Sequence, residues 1–287
     1  MTTDQVVPTS SHEQARADLD THGIAIVTDA LSKKEVADIR RRLFDGIDTS
    51  EADGVPTRGY PFDPDLHNIR VFHLFNLDPV FVDLIQKPYA IDFVRHVLGD
   101  DFLISNFSAN ITEPGNQRMA MHADQGYVLP PWPTQPLACN VSWLLDDLNE
   151  ENGGTRYVPG SHRYGHGPAE GESKKTCGVE APAGSIVIID GRLWHQTGEN
   201  RASGGYRAAL FGYYALRWLR PQINWNTALW PETVESLDPS FLHLLGYYTG
   251  NTEFQIPNGL RAPLRAPAEI DAGDNHFALA PNERHRV

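Results

Sequence analysis

His122-Ala123-Asp124 and His195 are the residues of this sequence whose types best suit metal chemistry. Two imidazoles and one carboxylate on one face of an octahedron leave three positions open. That is the arrangement by which non-heme iron(II) takes a bidentate co-substrate and then dioxygen. On a strand, residues i and i+2 point to the same side, so His122 and Asp124 can face one interior. The spacing alone is a weak signal in a chain with 12 histidines. The run Gly184-Ser185-Ile186-Val187-Ile188-Ile189-Asp190 strengthens it, because it reads as a buried strand leading through Gly191-Arg192-Leu193-Trp194 to His195. Tyr206-Arg207-Ala208-Ala209-Leu210 begins the next strand, and a hairpin is expected between the two.

In that hairpin His195 and Arg207 both face inward, with Arg207 deeper. An inward arginine is costly unless an anion meets it. A dicarboxylate co-substrate supplies one, because a guanidinium matches a carboxylate through two parallel hydrogen bonds. An internal ion pair with Asp or Glu is the alternative. The twelve-residue offset from His195 favours the anion site.

The elements that must hold these residues are legible in outline. Ser11 to Asp20 fits a short helix and Gly23 to Thr28 a strand. Ser32 and Glu35 form a capping box that opens a helix over Glu35 to Leu43. Residues 50–66, rich in Gly, Pro and Asp, read as a mobile lid loop. Val80 to Leu98 reads as one or two helices broken near Pro88, the longest helical stretch of the chain. Strand-like runs follow at Phe102 to Ile111, Leu137 to Leu145, Thr155 to Val158, Ser185 to Asp190 and Tyr206 to Leu216. Together they predict a mainly β sandwich or barrel with flanking helices. A single domain spans 1–287, with its core over about 20–220 and a C-terminal extension over about 221–287 whose end, 262–287, reads as an extended arm.

Charge narrows the function classes. Acidic residues outnumber basic ones, 37 to 24, and the formal charge of −13 repels nucleic-acid phosphates and anionic lipid heads. No apolar run approaches the length of a membrane helix, and the N-terminus does not read as a secretory signal. Cys139 and Cys177 are too few for a disulfide framework, which fits a reducing cytoplasm. Whether the chain forms a homo-oligomer is left open.

The sequence resembles the phytanoyl-CoA dioxygenase family of 2-oxoglutarate-dependent oxygenases. The resemblance rests on His122-Ala123-Asp124, on Glu151-Asn152-Gly153-Gly154-Thr155-Arg156-Tyr157-Val158-Pro159-Gly160-Ser161-His162, on Gly184 through His195, and on Arg207. It implies a double-stranded β-helix (a cupin-like jelly roll) with Fe(II) on His122, Asp124 and His195. It also implies the far carboxylate of 2-oxoglutarate on Arg207, a hydroxyl from Thr155, and O2 as oxidant. Several relatives carry a glutamine just before His-x-Asp where Arg118 to Met121 stands here, and Asn106, Asn110 or Asn140 are the candidates to replace it. A carboxylate at Asp124 disfavours halogenation.

The expected reaction is oxidation of a small or medium, largely apolar metabolite of secondary metabolism, by hydroxylation or by desaturation or cyclisation. Tyr127, Trp132, Trp225 and Trp230 are the candidate walls of its pocket. A CoA thioester would call for a basic entrance, which the chain lacks. The alternatives are a cupin-like metalloenzyme that works without 2-oxoglutarate and a non-enzymatic jelly-roll binding module.

Overall fold

Along Phe102–Thr112 (β3), polar Asn106, Ser108, Asn110 and Thr112 alternate with Phe107, Ala109 and Ile111. That period of two makes a sheet with unlike faces. A computed structural model describes residues 5–169, 172 and 174–247 of the chain, and those through 247 belong to one compact unit. The arm expected over 262–287 lies outside the described residues.

The large sheet is antiparallel throughout. Besides β3 it contains Ile24–Val27 (β1), Asn68–Val71 (β2), Ala138–Leu144 (β4), Ile186–Asp190 (β7) and Arg207–Leu216 (β9), in the order β1-β7-β4-β9-β3-β2. Arg156–Tyr157 (β5), Cys177–Gly178 (β6) and His195–Gln196 (β8) make a smaller sheet in the order β6-β5-β8. The two sheets form the jelly roll, open at its ends rather than closed into a barrel.

One face of the large sheet is apolar. Phe107, Ala109, Ile111, Val141, Trp143, Ala208 and Leu210 bury against the helices in one continuous core. The helices are His12–His22 (α1), Lys33–Ala52 (α2), Leu74–Leu77 (α3), Val80–Ile85 (α4) and Pro88–Leu98 (α5), followed after β9 by Trp225–Ala228 (α6), Pro231–Ser236 (α7) and Pro239–Leu244 (α8). Ser32 caps α2 reciprocally. Its Oγ accepts from Glu35 N at 3.3 Å, while its own N–H donates to Glu35 Oε2 at 2.8 Å. Pro88 breaks the segment as expected, since it occupies the first turn of α5, where its missing N–H costs nothing.

Three expectations differ from the structure. No hairpin joins the strands that flank His195, because β4 lies between β7 and β9. His195 has left the large sheet altogether and pairs with Tyr157 in the small one. Next, α2 runs 20 residues to Ala52 rather than stopping at Leu43, and it is longer than either helix of the 80–98 segment. Its i,i+4 ion pair Arg41–Asp45 and the pairs of Arg42 with Asp38 and Asp78 favour continuation. Finally, His122-Ala123-Asp124 is no regular strand: only His122 forms a bridge, and Asp124 begins a turn.

The rest of the 50–66 loop is tied to the sheet. Asp63 accepts from Asn68 Nδ2 at 3.0 Å and from Arg70 Nε at 2.6 Å, and Arg58 forks onto Glu113 with two bonds of 2.8 Å.

Candidate metal centre and its cavity

The two histidines meet backbone to backbone. His122 N donates to His195 O at 3.0 Å and His195 N to His122 O at 2.8 Å. This antiparallel bridge sets the imidazole centroids 4.4 Å apart. Each Nδ1 then lies 3.0 Å from a backbone carbonyl, Ala120 O for His122 and Leu193 O for His195. A carbonyl only accepts, so each Nδ1 carries the proton and each Nε2 is left with a bare lone pair.

Both lone pairs converge on the same carboxylate oxygen. Asp124 Oδ1 lies 3.9 Å from His122 Nε2 and 3.7 Å from His195 Nε2, and the three ligand atoms fall within 4.8 Å of one another. Three lone-pair donors around one point repel each other unless a cation sits among them. The set therefore fits a divalent metal with open positions. Burial and the neighbouring imidazole hold His122 below the usual histidine range, which favours the neutral ring a metal needs.

The turn beneath Asp124 is pinned by Gln125, whose N–H donates to Gly191 O at 2.7 Å and whose Oε1 accepts from Leu137 N at 2.9 Å. Tyr213 Oη donates to Asp124 O at 3.1 Å. These contacts take the place of the strand geometry that the spacing suggested.

A cavity of about 190 Å³ opens beside the three ligands, against the polar face of the large sheet. Asn106, Ser108 and Asn110 of β3, Asn140 and Ser142 of β4, and Phe211 and Tyr213 of β9 line it together with Thr155, Gln196 and Arg70. Asn140 Nδ2 donates to Asp124 Oδ2 at 3.3 Å.

Arg207 is 2% exposed and pairs in register with Thr112, two residues along β9 beyond the row of the cavity-lining Asn110 and Arg70. Its sole side-chain hydrogen bond among the described residues goes to Gly153 O at 3.2 Å, and its Nε is without a partner. No carboxylate among those residues forms an ion pair with it, so the internal-pair alternative is not realised. Burial, with Arg70 nearby, lowers its pKa to about 10, and the guanidinium remains charged at neutral pH.

The structure separates the four aromatic candidates. Trp225 is buried on the helix side of the sheet, with Nε1 bonded to Ile104 O at 2.8 Å and its ring 5.0 Å from Phe75, so it packs the core instead of walling the cavity. Trp132 bonds Val128 O and packs with Val158 and Trp194, lining a different cavity of about 410 Å³. Tyr127 is 54% exposed. Trp230 lines a groove of about 550 Å³ that shares Gln222 with the metal-side cavity.

Arg70, Gln196, Tyr213 and Gln222 are cavity residues that the sequence reading missed. For Arg70 a signal existed. Asn68-Ile69-Arg70-Val71 alternates polar with apolar, but four residues beside a Gly/Pro-rich loop are too few to read as a strand.

Comparison with known proteins places this architecture. The family model "Phytanoyl-CoA dioxygenase (PhyH)" matches residues 19–209. Dioxygenase af480 of Aspergillus fumigatus is 42% identical over 240 residues, covering 83% of this chain and 77% of that protein. Dioxygenase andF of Emericella variicolor is 27% identical over 201 residues, 64% of this chain and 70% of its own. Among solved structures, the non-heme alpha ketoglutarate dependent carbocyclase SnoK from nogalamycin biosynthesis superposes with a TM-score of 0.60 at 19% identity, over 78% of this chain and 94% of that one. HygX from Streptomyces hygroscopicus with nickel and 2-oxoglutarate bound gives 0.57 at 16%, over 74% and 89%. At such identities the likeness is one of fold. Fold, site and relatives define an iron(II)- and 2-oxoglutarate-dependent dioxygenase. Within that class the chain belongs to the phytanoyl-CoA dioxygenase family.

Proposed function

We propose that the enzyme oxidises a C–H bond of a small or medium, largely apolar secondary metabolite, with His122 Nε2, Asp124 Oδ1 and His195 Nε2 as the iron ligands. The observation that carries this reading is the convergence of those three atoms within 4.8 Å, with both Nδ1 protons committed to carbonyls. Iron held by these three residues would supply, with 2-oxoglutarate and O2, the oxidising power for the substrate, at the expense of converting the co-substrate to succinate and CO2.

The protein's own part is to orient and to exclude. Arg207, buried with an unused Nε and free of any carboxylate partner among the described residues, receives the far carboxylate of 2-oxoglutarate, with Arg70 as a second cation beside it. Thr155 adds a hydroxyl from the cavity wall. The part of the 50–66 loop beyond α2, with Asp63 bonded to Arg70, covers the Arg70 side as a lid. The outcome is hydroxylation, or desaturation or cyclisation, according to how the cavity wall would hold the substrate carbon. The relatives support a role in secondary metabolism, since SnoK is described from nogalamycin biosynthesis. The low cysteine content, two in the whole chain with Cys139 a buried thiol, supports a reducing, cytosolic setting, and the acidic charge supports a small molecule, neither nucleic acid nor membrane, as partner. Among the described residues no helix is long and apolar enough to cross a membrane.

The test is an anaerobic titration with Fe(II) and 2-oxoglutarate, followed by the weak visible charge-transfer band of the chelate. The band is expected in the wild type and absent in His122→Ala. A wild-type protein that binds neither reagent overturns the reading.

A further inference from the structure

The pairing of β3 with β9 slips by one residue between Ile104 and Asn106, so Ser105 is bulged out of the ladder. The bulge grips the chain that follows β9. Gln222 N donates to Ser105 Oγ at 2.9 Å and Ile223 N to Ser105 O at 3.0 Å. Held there, the Gln222 side chain meets Asn106, whose Nδ2 donates to Gln222 Oε1 at 3.0 Å. This single bond leaves two groups unused among the described residues. Asn106 Oδ1 is buried without a donor, and the Gln222 NH2 has no acceptor. Turning both amides over exchanges the roles and still leaves one donor and one acceptor, so the conclusion does not depend on how the amides are oriented.

Gln222 separates two cavities and lines both. Both residues line the 190 Å³ cavity beside the metal ligands, and Gln222 also lines the 550 Å³ groove. That groove is mixed: Val55, Phe72, Leu77, Ile223 and Trp230 share its walls with polar residues that include Asp53, His73 and Thr227. Asn76 holds it in shape by donating to Ala228 O at 2.8 Å and accepting from Trp230 N at 3.1 Å.

2-Oxoglutarate does not satisfy this pair. On Arg207 it is anchored opposite Thr112, six positions along β3 from Asn106, which is about 20 Å of strand. Fully ionised, it also has no proton to give to Asn106 Oδ1.

We infer that Asn106 and Gln222 form the substrate's polar subsite, and that the substrate is a medium-sized, largely apolar alcohol. Its apolar body lies in the groove past Phe72 and Trp230, and its free hydroxyl donates to Asn106 Oδ1 while accepting from Gln222 Nε2. An ether or a ketone offers lone pairs only, so in either orientation of the amides it meets the donor of the pair and leaves the acceptor without a proton, which is the ordinary basis of discrimination by a polar pocket. The inference rests on the iron and 2-oxoglutarate reading for the direction in which the hydroxylated molecule is presented.

The experiment uses the full chain loaded anaerobically with Fe(II) and 2-oxoglutarate. A panel of bicyclic decalinols, their methyl ethers and the matching decalones is titrated, and both the shift of the visible band and ligand-observed NMR saturation transfer are followed. At least one alcohol is expected to bind tenfold or more tighter than its ether and ketone. In Gln222→Leu and Asn106→Leu that preference falls to about onefold, with 2-oxoglutarate affinity and Tm as in the wild type. Gln222 is exposed, so its variant stays informative even if the Asn106 variant folds poorly. Equal binding of alcohol, ether and ketone, an unchanged preference in Gln222→Leu, or no binding by any alcohol overturns the inference. Absence of the visible band in the wild type instead counts against the iron and 2-oxoglutarate reading, and the NMR arm still decides on the alcohol.

Discussion

Asn140 and Asp124 divide the work of one carboxylate: the Asn140 amide donates to Oδ2 at 3.3 Å, and Oδ1 is left facing the two imidazoles. Asn140 is fixed in orientation by this bond, because a carboxylate accepts only.

Removing that amide frees the carboxylate to rotate. Asn140→Ala is expected to weaken Fe(II) or Ni(II) binding about 10- to 100-fold, the range usual for lost partners of metal ligands. Isothermal titration of the apoprotein measures it. Unchanged affinity would show that the turn at Gln125 alone orients Asp124.

Arg207 has no carboxylate to fall back on among the described residues. Arg207→Ala is expected to weaken 2-oxoglutarate binding by about 2–5 kcal/mol. Arg207→Lys keeps the charge without the fork and should recover only part of it. Anaerobic titration of the visible band reads both, and Arg70→Ala in the same assay reports how much of the anion site belongs to the second cation.

Gly154 sits where a side chain cannot. A Cβ there would lie 2.4 Å from Asn149 O and 3.2 Å from Val179 O. Gly154→Ala therefore has to push apart the turn that carries β5 and, through it, His195. A loss of about 1–3 kcal/mol is expected, as for other overpacked sites, together with reduced metal loading. Denaturant melts and metal titration test the two effects separately.

Glu35 links α2 to α5. Lys87 Nζ lies 2.7 Å from its carboxylate, and that bond, with the Ser32 cap, lowers its pKa to about 2. A depressed carboxylate stabilises the fold fully above its unfolded pKa, about 4.3, and the contribution disappears as pH falls from there toward 2. The group is partly exposed, so the effect is expected to stay below about 1 kcal/mol. In Glu35→Gln the stability difference from wild type should be present at pH 7 and vanish near pH 2, as read by urea melts across that range.

Much of the fold was legible because it follows from local periodicity. The alternation of Asn106, Ser108 and Asn110 with Phe107 and Ala109 marks a sheet with one polar face, and the Ser32 to Glu35 spacing opens a helix. The run 186–189 is apolar on both sides because Ile186 and Ile188 face the helices while Val187 and Ile189 face the second core cluster. Less visible were contacts that join distant segments. β2 was hidden beside its loop, and Trp225 looked like a pocket wall because closeness in sequence says nothing about which side of a sheet a ring will face.

The sequence by itself determined the chemistry available: two imidazoles, one carboxylate and one arginine in an order and spacing that suit a ferrous site, on a chain patterned for antiparallel strands. Tertiary structure alone decided how those groups meet. A backbone bridge between His122 and His195 of the small sheet replaces the expected hairpin, a turn pinned by Gln125 aims Asp124, and a bulge at Ser105 brings Gln222 over the cavity. The physical reason is that side-chain type and period are local properties, whereas convergence depends on strand pairings and hydrogen bonds between residues as far apart as Ser105 and Gln222, whose partners no local pattern specifies.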